Sequence, residues 1–160
     1  MYRRIAAALA VIVSIAAPAL AHEFKAGTMV VGHPWSRPTP PSAPVASGYV
    51  ELTNTGTEAD RLTAISSPLA ERAEIHRSIV ENNVASMRPV DGLTIEPGAT
   101  LDFETEKLHV MFITPDRQLR DGDRFPATLV FEKAGSVDVE FVVQRRGAEP
   151  ASADHTDHGG

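Results

Sequence analysis

Apolar and polar residues alternate along much of this chain, with the two-residue period of half-buried β-strands rather than the longer period of helices. Five segments show the alternation most clearly: GYVELTNT (48–55), RAEIHRSIV (72–80), HVMFIT (109–114), ATLVFEK (127–133) and SVDVEFVVQ (136–144). Turn-forming pairs such as Asp91-Gly92 and Pro97-Gly98 lie between them. Short strands with frequent turns predict an all-β protein, an antiparallel β-sandwich or barrel in a single domain.

Two segments depart from the alternation. RPTPPSAPVASG (37–48) is rich in proline, which lacks the backbone donor that a central strand needs, so we predict a loop there. Beyond Gln144 the chain becomes polar and loses its period. We predict a folded domain over residues 22–146 and a disordered tail over residues 147–160.

The first 21 residues, MYRRIAAALAVIVSIAAPALA, have the layout of a secretory signal peptide. Arg3 and Arg4 form a basic head, an apolar run follows, and Ala19-Leu20-Ala21 matches the small-residue cleavage pattern. The apolar run is too short for a comfortable membrane span, and an uncleaved anchor helix is the alternative. We therefore expect export, cleavage of residues 1–21, and no membrane span in the mature protein.

Charge and cysteine content narrow the function classes. Removing Arg3 and Arg4 with the signal leaves 13 basic and 21 acidic residues, a net charge of −8, so we expect no nucleic-acid partner. The chain contains no cysteine. Thiol redox chemistry, zinc–thiolate sites and the cysteine-ligated blue-copper centre are therefore excluded.

Histidine and methionine occur together in two predicted structural features, a single strand and a β-hairpin. His109 and Met111 are two residues apart in one strand, so their side chains point to the same face. Asn82-Asn83 suits a two-residue hairpin turn, because asparagine tolerates the positive φ angles of such turns. The turn predicts the pairs 81 with 84, 79 with 86 and 78 with 87. In that register His76 and Met87 are diagonal neighbours on one face.

Two imidazoles and two thioethers form a donor set that prefers some metal ions over others. Thioether sulfur is soft and uncharged and suits Cu(I), whereas calcium, magnesium and manganese prefer oxygen. The ordinary alternative is that methionine fills the core and histidine is a hydrogen-bonded polar residue. The strand pattern alone does not bring the hairpin next to strand 109–114, so both interpretations stay open at this point.

The spacing of the four residues matches a family signature. The pattern H-x10-M-x21-H-x-M resembles that of the periplasmic copper A chaperone (PCu(A)C) family, with its ligands at His76, Met87, His109 and Met111. Similar text surrounds them: HPWSRPTPP (33–41), GYVELTN (48–54), AEIH (73–76), MRPVDGLTIEPG (87–98), LHVMFI (108–113) and LRDGDRFPATLVFE (119–132). In the hairpin, where many relatives carry further methionines, this chain has Ser78, Val80 and Ala85.

The resemblance implies a cupredoxin-like β-sandwich that binds Cu(I) through these four side chains. It also implies delivery of copper to the binuclear copper centre of a haem–copper oxidase (cytochrome c oxidase), often alongside a thioredoxin-like Sco assembly protein. We therefore interpret the chain as a periplasmic copper metallochaperone, a monomer and not an enzyme. The alternatives are a copper storage or detoxification protein, a Cu(II) enzyme built on an N-terminal His22, and an adhesion module whose spacing is accidental.

Three other histidines are candidates for secondary Cu(II) binding. His155 and His158 lie among carboxylates in the tail, a set that suits Cu(II) or zinc, and the alternative is a solvated acidic tail. Signal cleavage would make His22 the first residue, with its α-amine and imidazole both available to Cu(II). His33 and Trp35 are predicted to be structural.

Overall fold

A computed structural model of the chain describes residues 23–145, which form eleven β-strands and no helix. The strands are β1 (Phe24–Ala26), β2 (Met29–Ser36), β3 (Val45–Asn54), β4 (Asp60–Ser66), β5 (Ala70–Glu81), β6 (Val84–Pro89), β7 (Leu93–Ile95), β8 (Thr100–Asp102), β9 (Leu108–Pro115), β10 (Arg124–Phe131) and β11 (Gly135–Val143). The all-β prediction is confirmed. Among these residues no helix of membrane-spanning length and apolarity occurs. The predicted signal, His22, His155, His158 and the tail over 147–160 lie outside the described residues.

The strands form one sheet in the order β6-β5-β9-β3-β2-β11-β10-β4-β7, with β1 added beside β2 and β8 beside β3. The predicted antiparallel arrangement is correct for all the pairs of described strands except one. β11 runs parallel to β2, with Val142 opposite Trp35 and Val143 opposite Ser36. These two strands come from opposite ends of the domain, so no tight turn between them dictates an antiparallel direction.

Several strands are absent from the sequence prediction. β1, β7 and β8 are three residues long, too short to show a period. β2 contains Gly32 and Pro34, and its pairing with β3 shifts register between Gly32 and Trp35. β4 also went unpredicted. The loop predicted over 37–48 is wrong at its end, because β3 begins at Val45, directly after the last proline.

The core closes around three phenylalanines from β9, β10 and β11. The ring of Phe112 meets the rings of Phe125 and Phe141 edge-on, at centroid distances of 5.2 and 5.4 Å. Phe125 and Phe141 stack on each other at 5.2 Å. All three are buried. Because β9 lies in the first half of the sheet and the other two strands in the second, this contact folds the sheet onto itself and fixes the inner face of β9.

Gly48 leaves the space that these rings occupy. A Cβ at this position would lie 2.7 Å from Cε2 of Phe112 and 2.8 Å from Cε1 of Phe141. We therefore expect Gly48→Ala to lower the free energy of unfolding by about 1–3 kcal/mol, the usual effect of overpacking a core. Urea unfolding followed by tryptophan fluorescence measures it.

Gly32→Ala is the matched control for Gly48→Ala. Gly32 lies in the neighbouring strand, and its added Cβ would meet nothing closer than 3.5 Å, an ordinary contact with Glu51. This variant should unfold at the urea concentration of the parent protein or slightly above it. Equal stability of the two variants would contradict the packing that we assign to Gly48.

Candidate metal centre

The β5–β6 hairpin has the register that its turn predicts. Asn82 and Asn83 adopt φ angles of 52° and 62°, and the paired positions include Glu81 with Val84, Ile79 with Ser86 and Ser78 with Met87. His76 lies opposite Pro89. Met87 is therefore the diagonal neighbour of His76 on the same face, and this prediction is confirmed.

The contact that the strand pattern could not supply is the pairing of β5 with β9. His76 lies directly opposite His109, and the two imidazole centroids are 6.0 Å apart with their planes tilted by 39°. A backbone hydrogen bond of 2.8 Å from Ser78 N to Lys107 O ties the hairpin to the residue just before β9. The sheet order β6-β5-β9 thus brings the hairpin and the strand that carries His109 and Met111 side by side.

The two methionines lie at opposite corners of this arrangement. Met111 is two residues beyond His109 on β9 and lies opposite Glu74 of β5. Met87 lies on the other side of β5, in β6. Strand alternation gives His76, His109, Met87 and Met111 a common face. Leu108, Val110 and Phe112 fill the alternate positions of β9 and are buried in the core.

Burial decreases across the site from β9 to β6. His109 is 5% exposed, although it faces away from the core. The side chain of His76 is 13% exposed, and Met111 is partly buried. Met87 is 60% exposed and is one of the large exposed hydrophobic residues of the described chain. One end of the site is therefore closed and the other is open to solvent.

Two nitrogen atoms at the closed end have no hydrogen-bond partner. His76 Nδ1 and His109 Nε2 are both buried, and both are unpaired. Buried polar atoms are nearly always hydrogen-bonded, because an unpaired one retains the full cost of leaving water. Two unpaired imidazole nitrogens on facing strands fit a site whose partner is a metal ion.

Glu74 lies beside this centre, and it was not predicted from the sequence. Its Oε2 accepts a hydrogen bond from His76 Nε2 at 2.9 Å, and its Oε1 accepts one from Arg72 Nε at 2.8 Å. The hydrogen bond with His76, followed by the one with Arg72, lowers the pKa of the Glu74 carboxyl. The available signal was its spacing, because Glu74 and His76 are two apart on one strand and therefore share a face.

The environment of His109 favours the neutral imidazole. Burial lowers the pKa of His109, and the positive charge of a protonated His76 lowers it further. A neutral imidazole has a lone pair for a metal, whereas the protonated ring has none. His109 is therefore ready to bind a metal at pH values at which an exposed histidine is partly protonated.

Beyond β9, the outer face of the sheet continues into an aromatic group on β3 and β2. Trp35 and Tyr49 lie opposite each other and stack at 4.6 Å, and the Arg37 guanidinium lies 5.6 Å from each ring centroid. Trp35 is buried, as expected for a structural residue. His33 is exposed and lines a cavity of about 190 Å³ with Trp35 and Tyr49.

Carboxylates and histidines alone do not form a further metal site in the part of the chain described. Within residues 23–145, no group of three or more His, Cys, Asp or Glu side chains is arranged to hold a metal ion. The centre on β5, β6 and β9 differs from such groups because half of its predicted donors are thioethers, which suit a soft ion.

Comparisons with known proteins give one family and one curated relative. The family described as "Putative lipoprotein LpqE-like" matches residues 29–143. Uncharacterized protein RP573 from Rickettsia prowazekii (strain Madrid E) is 33% identical over 103 residues, which are 62% of this chain and 57% of that protein. The chain thus matches little more than half the length of this relative.

Solved structures share the fold. The apo PCuAC domain from PmoF1 is 26% identical with a TM-score of 0.66, over 78% of this chain and 100% of that domain. The solution structure of Cu(I)-bound DR1885 from Deinococcus radiodurans is 25% identical with a TM-score of 0.57, over 71% of this chain and 76% of that protein. The predicted cupredoxin-like fold is confirmed.

Proposed function

This chain belongs to the LpqE-like family, within the PCuAC family of copper-binding domains, and on that premise we propose that it is a copper metallochaperone of the periplasm. Its cargo is Cu(I), held by His76, Met87, His109 and Met111. Support for copper as the ion comes from the related DR1885, which was solved with Cu(I) bound.

The observation that carries the proposal is the pair of buried, unpaired nitrogens, His76 Nδ1 and His109 Nε2. They belong to side chains directly opposite each other, with thioether side chains from β6 and β9 on the same face. Such a set supplies neutral and soft donors and adds no ligand charge. It therefore suits a monovalent soft ion better than zinc, magnesium or calcium.

The uneven burial of the site supports a transfer role. His109 is closed off from solvent, whereas Met87 is 60% exposed at the opposite end. An acceptor protein can approach Met87 and replace its sulfur first, while the buried histidine still holds the ion.

Export and the recipient complete the proposal. The signal predicted over residues 1–21 directs the protein to the periplasm. There it delivers copper to the copper-bearing subunit of a haem–copper oxidase, together with a Sco-type assembly protein. The basis for this recipient is the family resemblance of the sequence.

The test is an anaerobic titration of the protein with Cu(I) against a competing chelator, with X-ray absorption of the loaded protein. We expect one tightly bound Cu(I) per chain in a shell of two nitrogens and two sulfurs. A shell without sulfur would contradict the ligand set. Several tightly bound ions per chain would favour storage over delivery.

A further inference from the structure

Glu74 lies beside the centre and both of its carboxylate oxygens are engaged. Arg72 Nε donates to Oε1 at 2.8 Å, and His76 Nε2 donates to Oε2 at 2.9 Å. The three residues are at alternate positions of β5, so one strand face carries the whole chain of contacts. The carboxylate is thereby fixed between a permanent cation and the imidazole.

The hydrogen bond determines which nitrogen of His76 is free. A neutral imidazole carries one proton, so the nitrogen that donates to Glu74 holds it and the other nitrogen keeps its lone pair. That other nitrogen is Nδ1, which is buried and has no hydrogen-bond partner. A ring turned over about its Cβ–Cγ bond would put the Cδ2 carbon where Nδ1 lies and the Cε1 carbon where Nε2 lies. It would therefore lose both the contact with Glu74 and the lone pair at this position.

From this geometry we infer that Glu74 is a positioning residue that makes His76 bind copper through Nδ1. The inference rests on the proposed copper site and deepens it. Glu74 itself does not contact the metal: its oxygens are hard donors, which Cu(I) disfavours, and both are already in use. Its part is to fix the tautomer and orientation of His76, as outer carboxylates do for many metal-binding histidines.

Glu74→Leu tests the inference, with Glu74→Gln as the conservative variant. Glu74→Leu removes the acceptor and should weaken Cu(I) binding by about 10–100-fold, the usual cost of losing such a partner. Glu74→Gln keeps an oxygen acceptor without the charge, so its loss should be smaller. Glu71→Gln is the matched control: it removes an exposed charge from the same strand and should bind Cu(I) as the parent does.

Nitrogen NMR of the histidine rings separates positioning from simple stabilisation. In the copper-free parent we expect the proton of His76 on Nε2, protected from exchange with water. In the Cu(I)-loaded parent we expect the coordination shift on Nδ1. In Glu74→Leu the protected proton should disappear, and the loaded protein should be a mixture of molecules that bind Cu(I) through Nδ1 and molecules that bind it through Nε2. The backbone amide spectrum verifies the fold, and Glu74→Gln carries the test if Glu74→Leu is unfolded.

The outcomes for Glu74 and for the copper site are distinguishable. Coordination through Nε2 in the parent, or parental affinity in Glu74→Leu, overturns the positioning role and leaves the copper site intact. A parent that binds no Cu(I) overturns the proposed function and the role of Glu74 with it. The tautomer of the copper-free protein is measured without any metal in either case.

Discussion

Replacing Met87 and Met111 together with leucine is expected to reduce the affinity for Cu(I) by more than the roughly 100-fold cost of losing an outer partner. The two thioethers are the only soft donors among the four predicted ligands, and nitrogen alone does not give the same preference for the soft ion. Leucine and methionine have similar volumes, so the cost in unfolding free energy should stay below about 1.5 kcal/mol per site. Competition with a Cu(I) chelator measures the affinity.

Met29→Leu is the control for this pair. Met29 is fully buried in β2, so the control removes a sulfur atom outside the proposed ligand set. Its Cu(I) affinity should equal that of the parent. If the double variant also kept the parental affinity, Met87 and Met111 would not be ligands and the proposed site would be wrong.

Acidification from pH 7 to pH 5 is expected to destabilise the copper-free domain through His109. In the unfolded chain this imidazole titrates near the usual pKa of 6.5, whereas burial lowers its pKa in the folded domain. The unfolded state therefore binds more protons between these two values, and stability falls as the pH drops through that window. Above about pH 6.5 the ring is neutral in both the folded and the unfolded state, so this loss of stability is absent.

The pH effect from His109 is limited in size, because this side chain binds a single proton. The free energy of unfolding should change by at most about 1.4 kcal/mol per pH unit from this group. The lowered pKa values of Asp60 and Glu74 act in the same direction, but only below about pH 4.5, where carboxyls titrate. Urea unfolding at several pH values measures the slope for the parent and for His109→Leu, which lacks the titrating ring.

The affinity for Cu(I) should also depend on the protonation of His109. Protons compete with the metal for the imidazoles but not for the thioethers, so Cu(I) affinity should fall as the pH decreases. His109→Leu should show a shallower decrease than the parent, whereas exposed His33→Ala should not differ from it. Equal slopes in the parent and His109→Leu would mean that His109 does not bind the metal.

Local features of the centre could be predicted from the sequence, and long-range ones could not. Asn82 and Asn83 determine the hairpin register within a few residues, so the diagonal of His76 and Met87 follows from turn chemistry. The pairing of His76 with His109 joins strands far apart in the chain. No local pattern specifies it, and the family resemblance was the only sequence evidence for it.

The burial of His109 was also beyond the strand pattern. Alternation places it on the outer face, where a polar residue is expected to be exposed. It is nevertheless 5% exposed: β9 lies between β5 and β3 in the sheet, and the ring of His76 on β5 lies 6.0 Å from the ring of His109. The missed role of Glu74 has a related cause, since a hydrogen bond between two side chains depends on rotamers that residue spacing does not determine.

Strand β9 interleaves two kinds of residue, and this limits how its gene segment can vary. Leu108, Val110 and Phe112 alternate with His109 and Met111, so an in-frame deletion or insertion of one codon here would exchange the two faces. Imidazole would then enter the core and phenylalanine would enter the metal centre, losing stability and binding in one event. The turn at Asn82-Asn83 is constrained too, because it sets the register that places Met87 beside His76 on one face. Length variation among natural relatives should therefore be purged from β9 and from the hairpin turn alike.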